Sequence, residues 1–213
     1  MIKIAILGAE CTGKSELAKT LAHRLTEGAS KALWIPEGLR DWCDREGRTP
    51  LAHEQSAIAL EQRRQAQAAP LCDFLLVDSP ALMTALYSDL YFADPSLYPS
   101  ALSDLRHYQL TLVMGLDLEW VADGLQRDGP AMRQRVNHRL RHILDEALSP
   151  YTVVYGTGSA RADSALRAIE ALANSPRMKP VTQGTAWVWH CDNCSDVQCE
   201  RRLFTDRLRI EPT

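Results

Sequence analysis

The chain has 213 residues, a length that suits one well-buried α/β core with a small appendage and is short for two full domains. Its formal net charge of -3, with arginines interspersed among acidic residues, offers no basic face for nucleic acid or an anionic membrane, so small molecules are the expected partners. No apolar run reaches the length of a membrane span, and Met1 leads directly into a strand-like segment and not into a leader, which predicts a cytoplasmic protein.

The first motif is the sequence GAECTGKS at residues 8–15, which has the G-x-x-x-x-G-K-[ST] spacing of a phosphate-binding P-loop. An apolar run over residues 2–7 predicts a buried parallel strand before it, and apolar residues at helical spacing predict a helix after it. This order directs backbone N-H groups and the positive end of the helix into one cavity, which fits the polyphosphate of ATP. Lys14 is predicted to reach the β- and γ-phosphates and Ser15 to bind Mg2+. The residues predicted to hold the nucleotide here are Gly8, Glu10, Cys11, Thr12, Gly13, Lys14 and Ser15.

A second strand is predicted at residues 32–35, where Pro36 ends it. Glu37 and Arg40 come directly after this strand. Because ligands bind beyond the carboxyl ends of strands in open α/β sheets, both side chains would project towards the phosphate site. Glu37 is therefore a candidate general base and Arg40 a candidate substrate clamp. The alternative is a solvated turn with an exposed ion pair.

A long polar helix is predicted next, with Thr49 as its N-cap, Pro50 at its first position and Ala69 as its last residue. His53 and Glu54 lie on this helix, but position 57 is alanine, so the second histidine of a zinc-protease H-E-x-x-H motif is missing. His53 is therefore predicted to be a surface residue.

The third strand, residues 74–78, is apolar and ends in Asp78, the arrangement by which P-loop enzymes hold Mg2+. Asp78 has a second possible role as the cap of the following helix, and both roles are compatible. Residues 81–98 are rich in aromatic side chains, among them Tyr87, and form a candidate substrate side of the site. Packing of these rings in the core is the alternative.

A fourth strand is predicted at residues 110–114 and is followed by an arginine-rich connection. Arg127, Arg133 and Arg135 are candidates for a lid that stabilises a moving phosphoryl group, because guanidinium groups match its dispersed charge. Arg139 and Arg141 are on an amphipathic helix and are predicted to be solvated. A fifth strand at residues 151–155 leads into a loop that contains Thr157 and is predicted to face the purine.

Three segments together resemble the kinase domain of the NadR-type nicotinamide riboside kinases, in the NadR-like AAA family. They are the P-loop, the sequence EGLRD at residues 37–41 and above all WVADGL at residues 120–125. The likeness covers residues 3–172 and implies ATP-dependent phosphorylation of a ribonucleoside 5′-hydroxyl, with Asp123 among the substrate-binding residues. No H-x-G-H nucleotidyltransferase signature is present, so only the kinase activity carries over.

The expected fold class is therefore α/β: a P-loop NTPase with a five-stranded parallel sheet flanked by helices, similar to a nucleoside-monophosphate kinase. This domain is assigned to residues 1–174, and a small cysteine-rich appendage to residues 175–213. In the appendage His190, Cys191, Cys194 and Cys199 fall in one short stretch. This spacing suits a structural Zn2+ site, and reduced cysteines packed against tryptophans are the other interpretation.

The functional prediction is a small-molecule kinase that uses ATP and Mg2+ and has nicotinamide riboside as its leading acceptor. In this interpretation Lys14 binds ATP, Ser15 and Asp78 hold Mg2+, Glu37 deprotonates the acceptor and lid arginines stabilise the phosphoryl group. The competing class is a nucleotide-dependent switch that binds or slowly hydrolyses ATP and signals its state to a protein partner.

Overall fold

The computed structural model describes residues 1–121 and 129–174. The chain divides into two units, Met1–Asn174 and Ser175–Thr213, so the described residues all belong to the first unit. Its strands are β1 (Ile2–Leu7), β2 (Ala32–Ile35), β3 (Phe74–Asp78), β4 (Leu110–Met114) and β5 (Thr152–Val154). Its helices are α1 (Lys14–Glu27), α2 (Gly38–Glu46), α3 (Gln55–Ala68), α4 (Ala81–Phe92), α5 (Tyr98–Leu105), α6 (Pro130–Glu146) and α7 (Gly158–Asn174).

The five strands form one parallel sheet in the order β2-β3-β1-β4-β5, as predicted. Strand β1 lies in the centre, with β3 on one side and β4 on the other. In the β1-β3 register Ile6 lies opposite Asp78, so the end of β3 is level with the start of the P-loop. Ligands bind in such sheets beyond the carboxyl ends of the strands, where the connections leave in opposite directions. The P-loop lies at this point.

Side chains of β1 alternate between two hydrophobic cores, as they must when both faces of a parallel sheet are covered. Ala5 and Leu7 pack into a core that includes buried residues of α4, α5 and α6. Ile4 and Ile6 pack on the opposite face, in a core that includes residues of α1 and α7. Burial on both faces fixes the position of β1, and with it the position of the loop that follows.

The predicted start of α3 is wrong. A single 3-10 turn at Ala52–Glu54 precedes the helix, which begins at Gln55 and ends at Ala68. The Glu54 carboxylate accepts a hydrogen bond from the Leu51 N-H at 2.7 Å and pairs with Arg48. This carboxylate satisfies a donor at the start of the turn that the Thr49 cap was expected to satisfy. His53 is exposed, as predicted.

The prediction that Arg139 is solvated is also wrong. Its guanidinium bonds to Asp89 of α4 at 2.8 Å and lies 5.8 Å from the ring centroid of Tyr98. Arg139 therefore joins α6 to α4 and α5, and its partners come from helices that are distant in the chain. In residues 1–121 and 129–174 no helix is long and apolar enough to cross a membrane.

Candidate functional site

The P-loop turns tightly between β1 and α1. Gly8 has φ +155°, and a Cβ atom at this position would lie 2.8 Å from the Cβ of Met114, so only glycine fits. Lys14 is 6% exposed, and its ammonium group donates to the Ala9 carbonyl at 3.1 Å. The Thr12 hydroxyl donates to the same carbonyl at 2.7 Å. The lysine bond holds the ammonium group over the loop, where it could bind a phosphate.

Ser15 and Asp78 meet at the join between the P-loop and β3. The Ser15 hydroxyl donates to Asp78 Oδ2 at 2.5 Å, and Asp78 is completely buried. A hydroxyl and a carboxylate at this separation are hard oxygen donors of the kind Mg2+ prefers, so these residues fit the predicted ion. The alternative role of Asp78 as a helix cap is not observed, because α4 has Pro80 at its N-cap and no side-chain cap bond.

Glu37 lies directly after β2 and is 8% exposed, so it is not part of a solvated turn. Burial raises the pKa of its carboxyl group above the ordinary value. The positive charges of Lys14 and Arg40 oppose this shift, and the negative charge of Asp78 adds to it. Arg40 Nη2 lies 3.7 Å from Glu37 Oε2, with 46% of its own side chain exposed. The charge of Lys14 therefore acts on the predicted base.

Tyr87 extends this cluster from α4. It packs against the core on the α4 face of the sheet, and its ring centroid lies 6.2 Å from that of Tyr91. Burial raises the pKa of Tyr87 well above its ordinary value, and the nearby carboxylates of Glu37 and Glu10 raise it further. Tyr87 is therefore both a packed residue and a neighbour of the candidate base.

The predicted lid arginines separate into distinct environments. Arg133 is 6% exposed, and within the described residues its Nε and Nη2 atoms have no hydrogen-bond partner. A buried guanidinium with free donors is costly unless an anion satisfies it. Arg135, two residues later on α6, is exposed. Arg127 and the predicted substrate residue Asp123 lie outside the described residues.

Cys11 and Thr157 are two further residues that the sequence predicts to contact the nucleotide. Cys11 adopts φ +57°, and its thiol pairs with the Val121 backbone, with Sγ 3.1 Å from both the nitrogen and the oxygen. This contact joins the P-loop to the residue that precedes residues 122–135, where the sequence predicts lid arginines. Thr157, predicted to face the purine, is exposed in the loop between β5 and α7.

The four residues of the predicted zinc site, His190 and the three cysteines, lie outside the described residues. Within residues 1–121 and 129–174 no group of three or more His, Cys, Asp or Glu side chains is arranged to hold a metal ion. The appendage therefore keeps both of its interpretations.

With this geometry in place, comparison with known proteins identifies the family. Residues 3–161 match the AAA_28 family, whose members carry an AAA domain. The chain belongs to this family. No functionally curated protein matches the chain in sequence.

Solved structures share the fold of this AAA-family chain. A NadR protein in complex with NR aligns with a TM-score of 0.68 and 18% identity, over 85% of this chain and 54% of the NadR chain. A thymidylate kinase from Ehrlichia chaffeensis aligns with a TM-score of 0.56 and 16% identity, over 80% of this chain and 98% of the kinase. A deoxyadenosine kinase from M. mycoides gives a TM-score of 0.56 and 12% identity, over 80% and 100%.

The resemblance to NadR-type proteins inferred from the sequence is confirmed at the level of the fold. The AAA-family chain spans about half the length of the NadR structure that it matches. The thymidylate kinase and the deoxyadenosine kinase are covered almost completely, at 98% and 100% of their chains.

The structure adds an arginine that the sequence analysis missed in this AAA-family chain. Arg161, on α7, is 4% exposed and donates from Nη1 to the Thr12 carbonyl of the P-loop at 2.5 Å. Its Nε donates to the Gly156 carbonyl at 2.6 Å, and its Nη2 pairs with Asp117. Asp117 also accepts the Gly156 N-H at 2.6 Å. Arg161 thus connects the P-loop to the loops that follow β4 and β5.

The sequence patterns also did not single out the buried glutamine Gln62. Gln62 is 1% exposed and lies on the buried side of α3, four residues from both Ile58 and Ala66. Arg161 occupies a similar place on α7, four residues before the buried Ala165. A polar residue at a core position of an amphipathic helix is the signal that would have singled out both, because a buried polar group needs a defined partner.

Proposed function

We propose that this chain is an ATP-dependent phosphotransferase that transfers the γ-phosphoryl group to the hydroxyl of a nucleoside, with nicotinamide riboside as the leading acceptor. The observation that carries the proposal is the buried Glu37 carboxylate, which follows β2 and whose pKa responds to the charges of Lys14 and Asp78. A nucleotide-binding loop alone does not require a buried carboxylate at the end of β2. A transfer to a hydroxyl gives such a carboxylate a role, since it can accept the proton of that hydroxyl.

In the proposed reaction Glu37 accepts the proton of the acceptor hydroxyl as its oxygen bonds to the γ-phosphorus. The bond from the γ-phosphorus to the oxygen that bridges it to the β-phosphate breaks, and ADP leaves with that electron pair. The burial that raises the pKa of Glu37 makes the carboxylate a stronger base. The positive charge of Lys14 opposes this shift and favours the ionised form.

The nucleotide is assigned to the P-loop, with its β- and γ-phosphates on the backbone N-H groups and Lys14. Ser15 and Asp78 would hold Mg2+, which supplies charge neutralisation at the phosphates. When a nucleotide arrives, the Lys14 ammonium group can exchange the Ala9 carbonyl, 3.1 Å away, for a phosphate oxygen. An anionic partner is favoured in this exchange because charge-assisted hydrogen bonds are the stronger ones.

The acceptor is assigned to the space bordered by Glu37, Arg40 and Tyr87. Arg40 is partly exposed beside Glu37, so it can bind a polar group of the substrate without a large desolvation cost. Arg133 is assigned to the transferred phosphoryl group because its buried donors lack partners within the described residues. Arg127 and Asp123 remain candidates from the sequence.

A panel of nucleosides assayed with ATP and Mg2+ by mass spectrometry tests the proposal. Phosphorylation of a nucleoside at a metabolic rate is expected, and the same preparation should bind an ATP analogue by calorimetry. Lys14→Ala should weaken that binding and abolish turnover, whereas Glu37→Gln should bind ATP normally and lower kcat. Slow hydrolysis of ATP with every nucleoside left unmodified would contradict the kinase and favour the nucleotide-dependent switch.

A further inference from the structure

The strand ladder between β2 and β3 stops just before the candidate active site. Its last register pair is Ile35 with Val77. Pro36 follows Ile35 and has no N-H to continue the ladder, and Glu37 comes next. The segment that carries the candidate base therefore leaves the sheet without the backbone bonds that hold β2 in place.

The side-chain amide of Gln62 supplies the missing bonds. Its Oε1 accepts the Gly38 N-H at 2.6 Å, and its Nε2 donates to the Pro36 carbonyl at 3.1 Å. The same Nε2 donates to the Asp78 carbonyl at 3.2 Å. Gln62 thus bonds to the chain immediately before and after Glu37 and to the residue that ends β3.

The close fit is evident at Gly38. A Cβ atom at this position would lie 2.4 Å from Gln62 Oε1, so a larger residue would displace the amide or the loop. Gln62 is 1% exposed, and water has little access to replace its bonds. A buried amide is costly unless its donors and acceptor are satisfied, and here all three bonds go to the backbone around the site.

We propose that Gln62 is a positioning residue that holds the Glu37 carboxylate in place for proton transfer from the acceptor. This inference rests on the proposed function. Gln62 itself is bonded to the backbone and is not assigned a contact with either substrate. Its role is to fix the loop from Pro36 to Gly38, and so the approach of the base to the acceptor hydroxyl. A displacement of about 1 Å at such a site can lower a rate by about 10²-fold.

Gln62→Met is the test variant, because methionine has a similar length and no amide. Gln67→Met is its control, since Gln67 is exposed on the same helix. We expect Gln62→Met to lower kcat for the acceptor by about 10- to 100-fold, with the Kd for ATP unchanged, and Gln67→Met to change neither. Wild-type kcat in Gln62→Met, or a parallel loss of kcat and ATP binding, would overturn the inference. If Gln62→Met does not fold, Gln62→Asn, whose amide is one methylene short of its partners, is measured in the same way.

A double-mutant cycle separates positioning from general stability. If Gln62 acts through Glu37, then Gln62→Met should cost little further activity in a Glu37→Gln background. An equal loss in both backgrounds would refute that route. NMR titration of the Glu37 carboxyl group gives a readout that needs no acceptor: Gln62→Met should lower its pKa towards the ordinary value, as the loop opens to solvent. An unchanged pKa of Glu37 in Gln62→Met would overturn the positioning role, whether or not an acceptor is phosphorylated. A shifted pKa together with no phosphorylation of any acceptor would refute only the proposed function.

Discussion

Replacement of Arg161 by methionine tests whether the bonds of this buried arginine stabilise the P-loop. The change removes the bonds to the carbonyls of Thr12 and Gly156 and leaves Asp117 without its charged partner. Hydrogen bonds to charged groups are worth about 1.5 to 3 kcal/mol each. Gly156 is half-buried and Asp117 has 30% of its side chain exposed, so water compensates part of the loss at both. The substitution also removes the free-energy cost of burying the charged guanidinium group, which offsets part of the loss. We therefore expect the free energy of unfolding to fall by about 3 kcal/mol.

Urea titration followed by circular dichroism measures this free energy, and a loss of that size should lower the Tm by about 6 to 12 °C. Arg167→Met is the matched control, because Arg167 is exposed on the same helix and a substitution there should lie within about 0.5 kcal/mol of wild type. ATP binding should also weaken, since the apparent affinity falls in proportion to the fraction of molecules whose P-loop is correctly folded. A variant with wild-type stability and wild-type ATP affinity would refute the reasoning.

Four other predictions concern the site and the core. Because burial raises the pKa of Glu37, kcat/KM should fall as the pH falls through a value above the ordinary range of a glutamate, and Glu37→Gln should remove this dependence from the pH-rate profile. The same raised pKa links stability to pH: the contribution of Glu37 to the free energy of unfolding is complete below its unfolded pKa and is lost as the pH rises through its folded pKa. Urea titrations of Glu37→Gln at several pH values should therefore lack this decrease in the free energy of unfolding. Leu140→Ala, at a completely buried position, should cost about 2 to 5 kcal/mol in urea denaturation, whereas Leu60→Ala, at a 64% exposed position, should cost under about 0.5 kcal/mol. Gly38→Ala should lower kcat in the acceptor assay with ATP affinity retained, since its Cβ would meet the Gln62 amide; an equally active variant would show that the loop tolerates displacement.

The amino-acid sequence alone determined the central elements of the fold. The bounds of β1 to β4 follow from short apolar runs that end at Gly8, Pro36, Asp78 and Gly115, and the structure has these strands at the predicted residues. The place of Asp78 and Glu37 at the ends of strands was also predictable, because parallel strands present their carboxyl ends at one edge. These are local patterns, and a local pattern can be read without knowledge of what packs against it.

The tertiary structure decided which side chains complete the candidate site. Arg161 is 149 residues from Thr12 in the chain, and only the packing of α7 beside the P-loop makes them neighbours. Gln62 likewise reaches the loop around Glu37 because α3 packs against α2 and α4. The sequence of α6 predicted a solvated Arg139, and its pairing with Asp89 becomes evident only from the packing of α6 against α4. Burial and pairing depend on which elements meet in space, and the sequence of one helix contains no information about the charge that another helix brings to it.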